Sequence, residues 1–354
     1  MEENKKGSSK KKKTEIMIPD VTSMTNIKQP NRITNAKYDY TIMQQRCFLT
    51  IIKALQDTIN QVVKDRTKSI QQLQLFQTPN SHIEFKVDFK DIAKKHSQYK
   101  EVWEAVMKLS TSPFTFEGID PITGVEAIRV GGLFEAYLPL DQKKKHYFSI
   151  RISKDVAARM VMVQQGYTNF LYEIAYNAKN KYTARIYQLI SRWKDKGGAI
   201  IEYAQLREML LMGDKYSEFK EFKRNVLDVA HKELYQKSDC WFEVAGFERT
   251  EGKVSHVKFK IITVGQIKFM ETKAESIKGL LKLHFGFKQE HMLKVQPLLD
   301  NVVNLGAIQI KLLDLMDVIR IKAQNGNPIN NVPSYVLTSL LTQFKFEIQR
   351  GLHD

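Results

Sequence analysis

Apolar positions first settle into a helical rhythm at Ile42, Cys47, Phe48, Ile51, Ile52 and Leu55, one broad face of a helix that starts near residue 41 and runs toward Val63. Alternation over residues 82–87 predicts a short strand, and residues 88–96 and 97–109 predict two short helices joined by a polar turn. Residues 111–117 are rich in β-branched and aromatic side chains, Gly118, Gly124, Gly131 and Gly132 punctuate the next stretch, and residues 147–152 supply another strand, together a hairpin. The order is helix, strand, helix, helix, hairpin.

The same order returns further on. Ala184, Tyr187, Leu189, Ile190 and Trp193 mark a helix over residues 182–196 closed by Gly197 and Gly198. A strand comes next at 199–202, then a helix at 203–212 ending at Gly213 and Asp214, and a long helix at 217–236. Strands at 241–247 and 254–262 flank a polar tip, 249–253, that contains Gly252. Two segments with one order suggest a duplication, with residues 154–178 as a helical connection. After them come only helical segments, at 277–283, 295–303, 308–321 and 336–348, with a break at Gly326, Asn327 and Pro328.

Helix, strand, helix, helix and two-stranded wing is the order of a winged helix, whose third helix reads the major groove. The expected fold is therefore α+β, two tandem winged-helix domains followed by a small all-α C-terminal domain. Residues 1–35 are expected to be a basic disordered tail, 36–155 the first winged helix, 156–265 the second and main DNA reader, and 266–354 the helical domain, of unknown role.

The long helix near residue 217 tests the reading. At about 100° per residue, Phe219, Phe222, Val226, Val229, Ala230 and Glu233 fall on one side, while Lys220, Arg224, Asp228 and His231 fall near the other, flanked by Lys223 and Asn225. An Arg pairs bidentately with guanine and an Asn reads adenine, so Lys220, Lys223, Arg224, Asn225 and His231 are the candidate base readers. A solvated helix of mixed charge is the plainer alternative, because Glu221 and Asp228 dilute the face. Candidate phosphate contacts around it are Arg185, Lys194, Lys196, Lys215, Lys253, Lys258 and Lys260. In the first domain they are Lys94, Lys95 and Lys100, with Lys143, Lys144 and Lys145 near the wing. Glu101 and Glu104 weaken that domain's reader. Trp103 and Trp193 sit at helical spacing and belong to cores rather than to stacking platforms, so duplex DNA is expected over RNA.

Charge sharpens this. The 354 residues carry a formal net charge of +16. Residues 1–20 contribute +2 (6 basic, 4 acidic) and 266–354 contribute +3 (11 basic, 8 acidic), which leaves +11 for residues 21–265. A basic surplus favours polyanions through counterion release. Cys47 and Cys240 stand apart without a CxxC partner, so neither a disulfide framework nor a zinc site is expected. With no run of eighteen apolar residues and no apolar stretch behind Lys10, Lys11, Lys12 and Lys13, a cytoplasmic protein without a membrane partner is expected.

Three passages carry a family likeness: Tyr182-Thr183-Ala184-Arg185-Ile186-Tyr187-Gln188-Leu189 with Lys196-Gly197-Gly198, then Leu206-Arg207-Glu208-Met209-Leu210, then Tyr216 through Phe222-Lys223-Arg224-Asn225-Val226-Leu227-Asp228. Val257-Lys258-Phe259-Lys260-Ile261 completes them, and Gln45-Arg46, Tyr99-Lys100-Glu101-Val102 and Met107-Lys108-Leu109 stand upstream. On these residues, about 36–262, the sequence resembles the iteron-binding plasmid replication initiators, the Rep proteins of bacteria. It departs from them at Asn225, where a second basic residue is usual, and at Val229, where proline is common. The resemblance implies binding to directly repeated duplex sites at a plasmid origin, most base contacts coming from the second domain and further DNA or dimer contacts from the first. It also implies a homodimer in equilibrium with monomer, monomers opening the origin with the host helicase and initiator, and dimers repressing the protein's own gene.

Enzymatic readings have little to stand on. No GxxxxGK[ST] loop, no HExxH and no His-x-His pair is present, so no cofactor is expected and a nicking enzyme is disfavoured. A winged-helix transcription regulator remains the main alternative.

Overall fold

A computed structural model describes residues 18–77, 79–120, 122–141, 146–300 and 304–344. The chain divides into two compact units, one ending at Thr263 and the other beginning at Val264.

The first unit opens with a strand where a tail was expected. β1 (Asn26–Pro30) pairs antiparallel with β7 (Tyr167–Leu171), Asn26 facing Leu171 and Pro30 facing Tyr167. Ile27 is fully buried and the Gln29 amide bonds Thr34 Oγ1 at 3.0 Å. The polar look of this stretch conceals a strand stitched by side chains, and α1 (Asn31–Thr34) continues it. The disordered-tail expectation is thus wrong for residues 26–35. The lysine block at 10–13 lies outside the described residues.

α2 (Ile42–Ala54) starts at a capping box: Thr41 Oγ1 accepts from the Gln44 amide at 3.3 Å, and Gln44 Oε1 accepts from the Thr41 amide at 2.8 Å. The helix breaks at Leu55, and α3 (Gln56–Lys64) follows. β2 (His82–Asp88) comes next, then two 3-10 turns, Phe89–Asp91 and His96–Gln98, where a short helix was expected. α4 (Tyr99–Thr111) buries Val102, Ala105, Val106 and Leu109, a narrow stripe of the 3.6 period. β3 (Pro113–Ile119) and β4 (Glu126–Gly132) make a separate hairpin, while β5 (Glu135–Tyr137) and β6 (Tyr147–Ser153) join β2 in the order β2-β6-β5. The connection 154–178 is not purely helical, since β7 lies between α5 (Lys154–Val161) and α6 (Tyr172–Asn177).

α7 (Lys181–Ser191) is buried at every position from Tyr182 to Ser191. A helix buried all round is a core helix, and this one packs on α6 and β7 of the first winged helix and on the helix over 223–234 and the strand Cys240–Thr250 of the second. Two modules therefore share one core, with no separable boundary near residue 155.

The second module continues with β8 (Gly198–Glu202), α8 (Tyr203–Met209), a reader helix in three segments, and the wing strands β9 (Cys240–Thr250) and β10 (Lys253–Thr263). Sheet order is β8-β10-β9, all antiparallel. The wing turns on Glu251 and Gly252, both at positive φ (52° and 78°), the two-residue geometry that matches strand twist and favours glycine. Both winged helices expected from the sequence are present.

Among its described residues the second unit holds four helices, α11 (Val264–Leu283), α12 (Gln289–Leu299), α13 (Leu305–Gln324) and α14 (Val332–Gln343). They close on a core that includes Ile277, Leu281, Val295, Ile308, Leu312 and Val336. The expected ends at Val303 and beyond Phe344 lie outside the described residues. No helix among the described residues is long and apolar enough to cross a membrane.

Candidate nucleic-acid interface

The reader helix runs as α9 (Phe219–Phe222), a π-helical turn (Lys223–Leu227) and α10 (Asp228–Leu234). The reason lies in the spacing of its core. Phe222, Val226, Ala230 and Leu234 are buried at intervals of four, and on an α-helix each such step drifts about 40° round the axis. The wider π turn takes up that drift, so all four stay on one side and Leu227 is buried beside them. A uniform 100° wheel placed Val229 in the core, yet it is exposed.

Away from that core, Lys220, Arg224, Asp228, Val229 and Lys232 are exposed and Asn225 is half-buried. Arg224 sits on the π turn with no ion pair or hydrogen bond among the described residues, as does Lys220 on α9. Lys223 is engaged instead, its Nζ 2.7 Å from Asp228 Oδ1. His231 is not brought to this face. Its ring stacks on Tyr235 at 5.3 Å and meets Phe242 edge-on at 6.0 Å, on the wing side of the helix. Lys232, two turns beyond Arg224, joins the exposed row and was not singled out from sequence; the four-residue spacing would have found it.

The loop before the helix is held by Arg207, whose guanidinium donates to the Tyr216 carbonyl and, at 2.6 Å, to the Gly213 carbonyl. Leu211 and Tyr216 take positive φ here (44° and 52°), a conformation that side chains adopt only when the surroundings impose it. Tyr203 meets Phe219 and Phe222 edge-on at 5.4 and 5.2 Å, and Phe219 leans on Phe247 of the wing at 5.4 Å. Loop, helix and wing are thereby fixed to one another.

The expected phosphate contacts divide. Lys196, Lys215 and Lys253 are exposed and carry no ion pair among the described residues; Lys196 lies 5.0 Å over the Trp193 ring. Lys258 pairs with Glu248 at 3.0 Å, and that contact holds the Glu248 carboxyl below its ordinary range. Lys260 lies 3.8 Å from Glu243. Lys194 is drawn inward to Asp239 at 2.9 Å, both side chains 15% exposed, so it is chiefly a structural tie.

Arg185 is not a phosphate contact. It is 2% exposed and donates to Tyr38 Oη (2.6 Å), Gln188 Oε1 (3.0 Å) and the carbonyls of Thr34 (3.1 Å) and Ala36 (2.8 Å). The guanidinium also lies 3.9 Å from the centroid of the Tyr38 ring. A buried cation persists only when it is well hydrogen-bonded, and here four acceptors, two of them the carbonyls of Thr34 and Ala36, take the two terminal nitrogens, while Nε has no partner among the described residues. Its place on an amphipathic helix gave no sign of this, because the acceptors come from about 150 residues upstream.

In the first winged helix Lys94, Lys95 and Lys100 are exposed, but so are Glu101 and Glu104 on the reader position of α4. Lys143, Lys144 and Lys145 lie outside the described residues. Trp103 and Trp193 are half-buried. On the second module the exposed Lys220, Arg224 and Lys232, unpaired among the described residues, lie along the reader helix itself, whereas α4 intersperses its lysines with Glu101 and Glu104.

Two winged helices sharing a core helix, one presenting a free arginine and lysines between a braced loop and a wing, define a DNA-binding protein of the tandem winged-helix class. Residues 26–191 match the family model described as Initiator Replication protein, WH1, and residues 202–261 match Initiator Rep protein, WH2. The chain belongs to this family and is a plasmid replication initiator. No curated protein matches it.

Proposed function

We propose that the chain recognises directly repeated duplex sites, iterons, at a plasmid origin, with the second winged helix reading bases through Arg224 and Asn225 and the first adding backbone or dimer contacts. The observation that carries this is the exposed, unpaired Arg224 on the π turn of the reader helix, bracketed by Lys220, Lys215, Lys232 and Lys253. An arginine so placed makes a bidentate pair with guanine, and the lysines follow the phosphates on either side. The protein acts in the cytoplasm by binding rather than by catalysis: a monomer on the repeats opens the origin with the host helicase and initiator, and a homodimer represses the protein's own gene. A minimal replicon carrying this gene and its upstream repeats should be maintained as a plasmid. Loss of maintenance on deleting the repeats supports the reading; maintenance without them contradicts it. Supercoiled origin DNA incubated with the protein and Mg²⁺ should stay supercoiled, and a covalently attached product would make it a nicking enzyme.

A further inference from the structure

The reader helix leaves one apolar side chain out of its core. Val229 is 38% exposed, while Phe222, Val226, Leu227, Ala230 and Leu234 are buried. The packing is complete without it. It stands four residues after Asn225 and five after Arg224, in the set 224, 225, 228, 229 and 232 on the side away from the core. Asp228, the preceding residue, is tied to Lys223, so a patch of branched hydrocarbon lies on the arginine's side of the helix with its acidic neighbour paired.

A β-branched residue is a poor choice for a solvated helix face, where Lys, Glu or Ala would be better helix formers. Within the major groove one group rewards it: the C5 methyl of thymine, the groove's only apolar feature. Resting on the reading of this helix as the base reader, we propose that Val229 is a specificity-determining residue that packs on the C5 methyl of a thymine adjoining the base pair met by Arg224.

The test uses the full chain and the duplex it selects from a random pool. Each dT is replaced in turn by dU, which lacks only that methyl, and binding is titrated for the natural protein, Val229→Ala and Arg224→Ala. At one position per repeat, dU should weaken the natural protein about fourfold, the worth of roughly one buried methyl. Val229→Ala should bind the dT and dU forms alike, with unchanged affinity for random duplex as the sign of an intact fold. If no dT position separates the natural protein from Val229→Ala while Arg224→Ala still loses the preference for the selected duplex, the inference fails alone. If the natural protein shows no preference, or Arg224→Ala keeps it, the reading of the helix fails and takes the inference with it.

Discussion

Lys223 Nζ lies 2.7 Å from Asp228 Oδ1, five residues further along one helix. Side chains meet at three or four residues on an α-helix; a contact at five reflects the π turn between them. The same turn aligns the four-spaced core below and presents Arg224 above, so local geometry, packing and the DNA face have a single cause. π turns recur at functional sites.

The pair also restrains the helix electrostatically. Asp228→Asn should release Lys223 and remove a negative charge from the face, raising affinity for random duplex several-fold at low salt and steepening the log–log salt dependence by roughly one. Stability should hardly change, because the pair is exposed. Salt titrations of both proteins on random duplex check this, and an unchanged slope would remove Lys223 from the interface.

Arg185 predicts a different phenotype. Arg185→Ala leaves the Tyr38 hydroxyl, the Gln188 carbonyl and two backbone carbonyls without their donor, a loss of about 3 kcal/mol or more. Urea unfolding should register it, whereas DNA affinity of the folded protein should hold. Weakened binding with unchanged stability would restore Arg185 as a DNA contact.

Buried tyrosines set an alkaline limit. Burial raises the hydroxyls of Tyr38 and Tyr187, the latter also beside Asp239, whose carboxylate accepts a hydrogen bond from it at 2.5 Å; burial raises Tyr172 to about 12. Below the unfolded value near 10 both states keep the proton and the stabilisation is complete; above it the unfolded chain releases protons that the folded chain retains, and stability falls. Urea midpoints should therefore fall as pH rises from about 10 through the raised folded values, with a shallower fall in Tyr187→Phe. A midpoint flat across that range would contradict the burial of these hydroxyls.

Thiol chemistry offers a probe of the shared core. Cys47 is buried in α2, with its thiol pushed up to about 12, and Cys240 at the start of β9 is buried and raised as well. Both should react with a disulfide reagent only on unfolding, as thiolate character and access require. Rapid labelling of the native protein would show the core to be open.

Most of the second module was legible in the sequence, because its signals are local: the positive-φ glycines Gly197 and Gly252, the alternation of β9 and β10, and the amphipathic helix between β8 and β9. What escaped depends on distant partners. β1 reads as polar tail because its strand partner lies about 140 residues away, and Arg185 reads as surface because its acceptors are as remote. Val229, expected on the core side, is exposed, and Leu227, assigned to neither side, is buried, because a uniform 100° step cannot anticipate a π turn. The short second helix of the first module dissolved into 3-10 turns, where the apolar residues are too few to sustain an α-helix.

Base reading by Arg224 is tested most directly by the ratio of affinities for repeat and random duplex, measured for the natural protein and for Arg224→Ala at one salt concentration. The ratio should fall by the equivalent of about 1–3 kcal/mol, beyond the smaller loss on random duplex that removing one positive charge brings. An equal loss on both DNAs would make Arg224 a phosphate contact and leave the helix without its base reader.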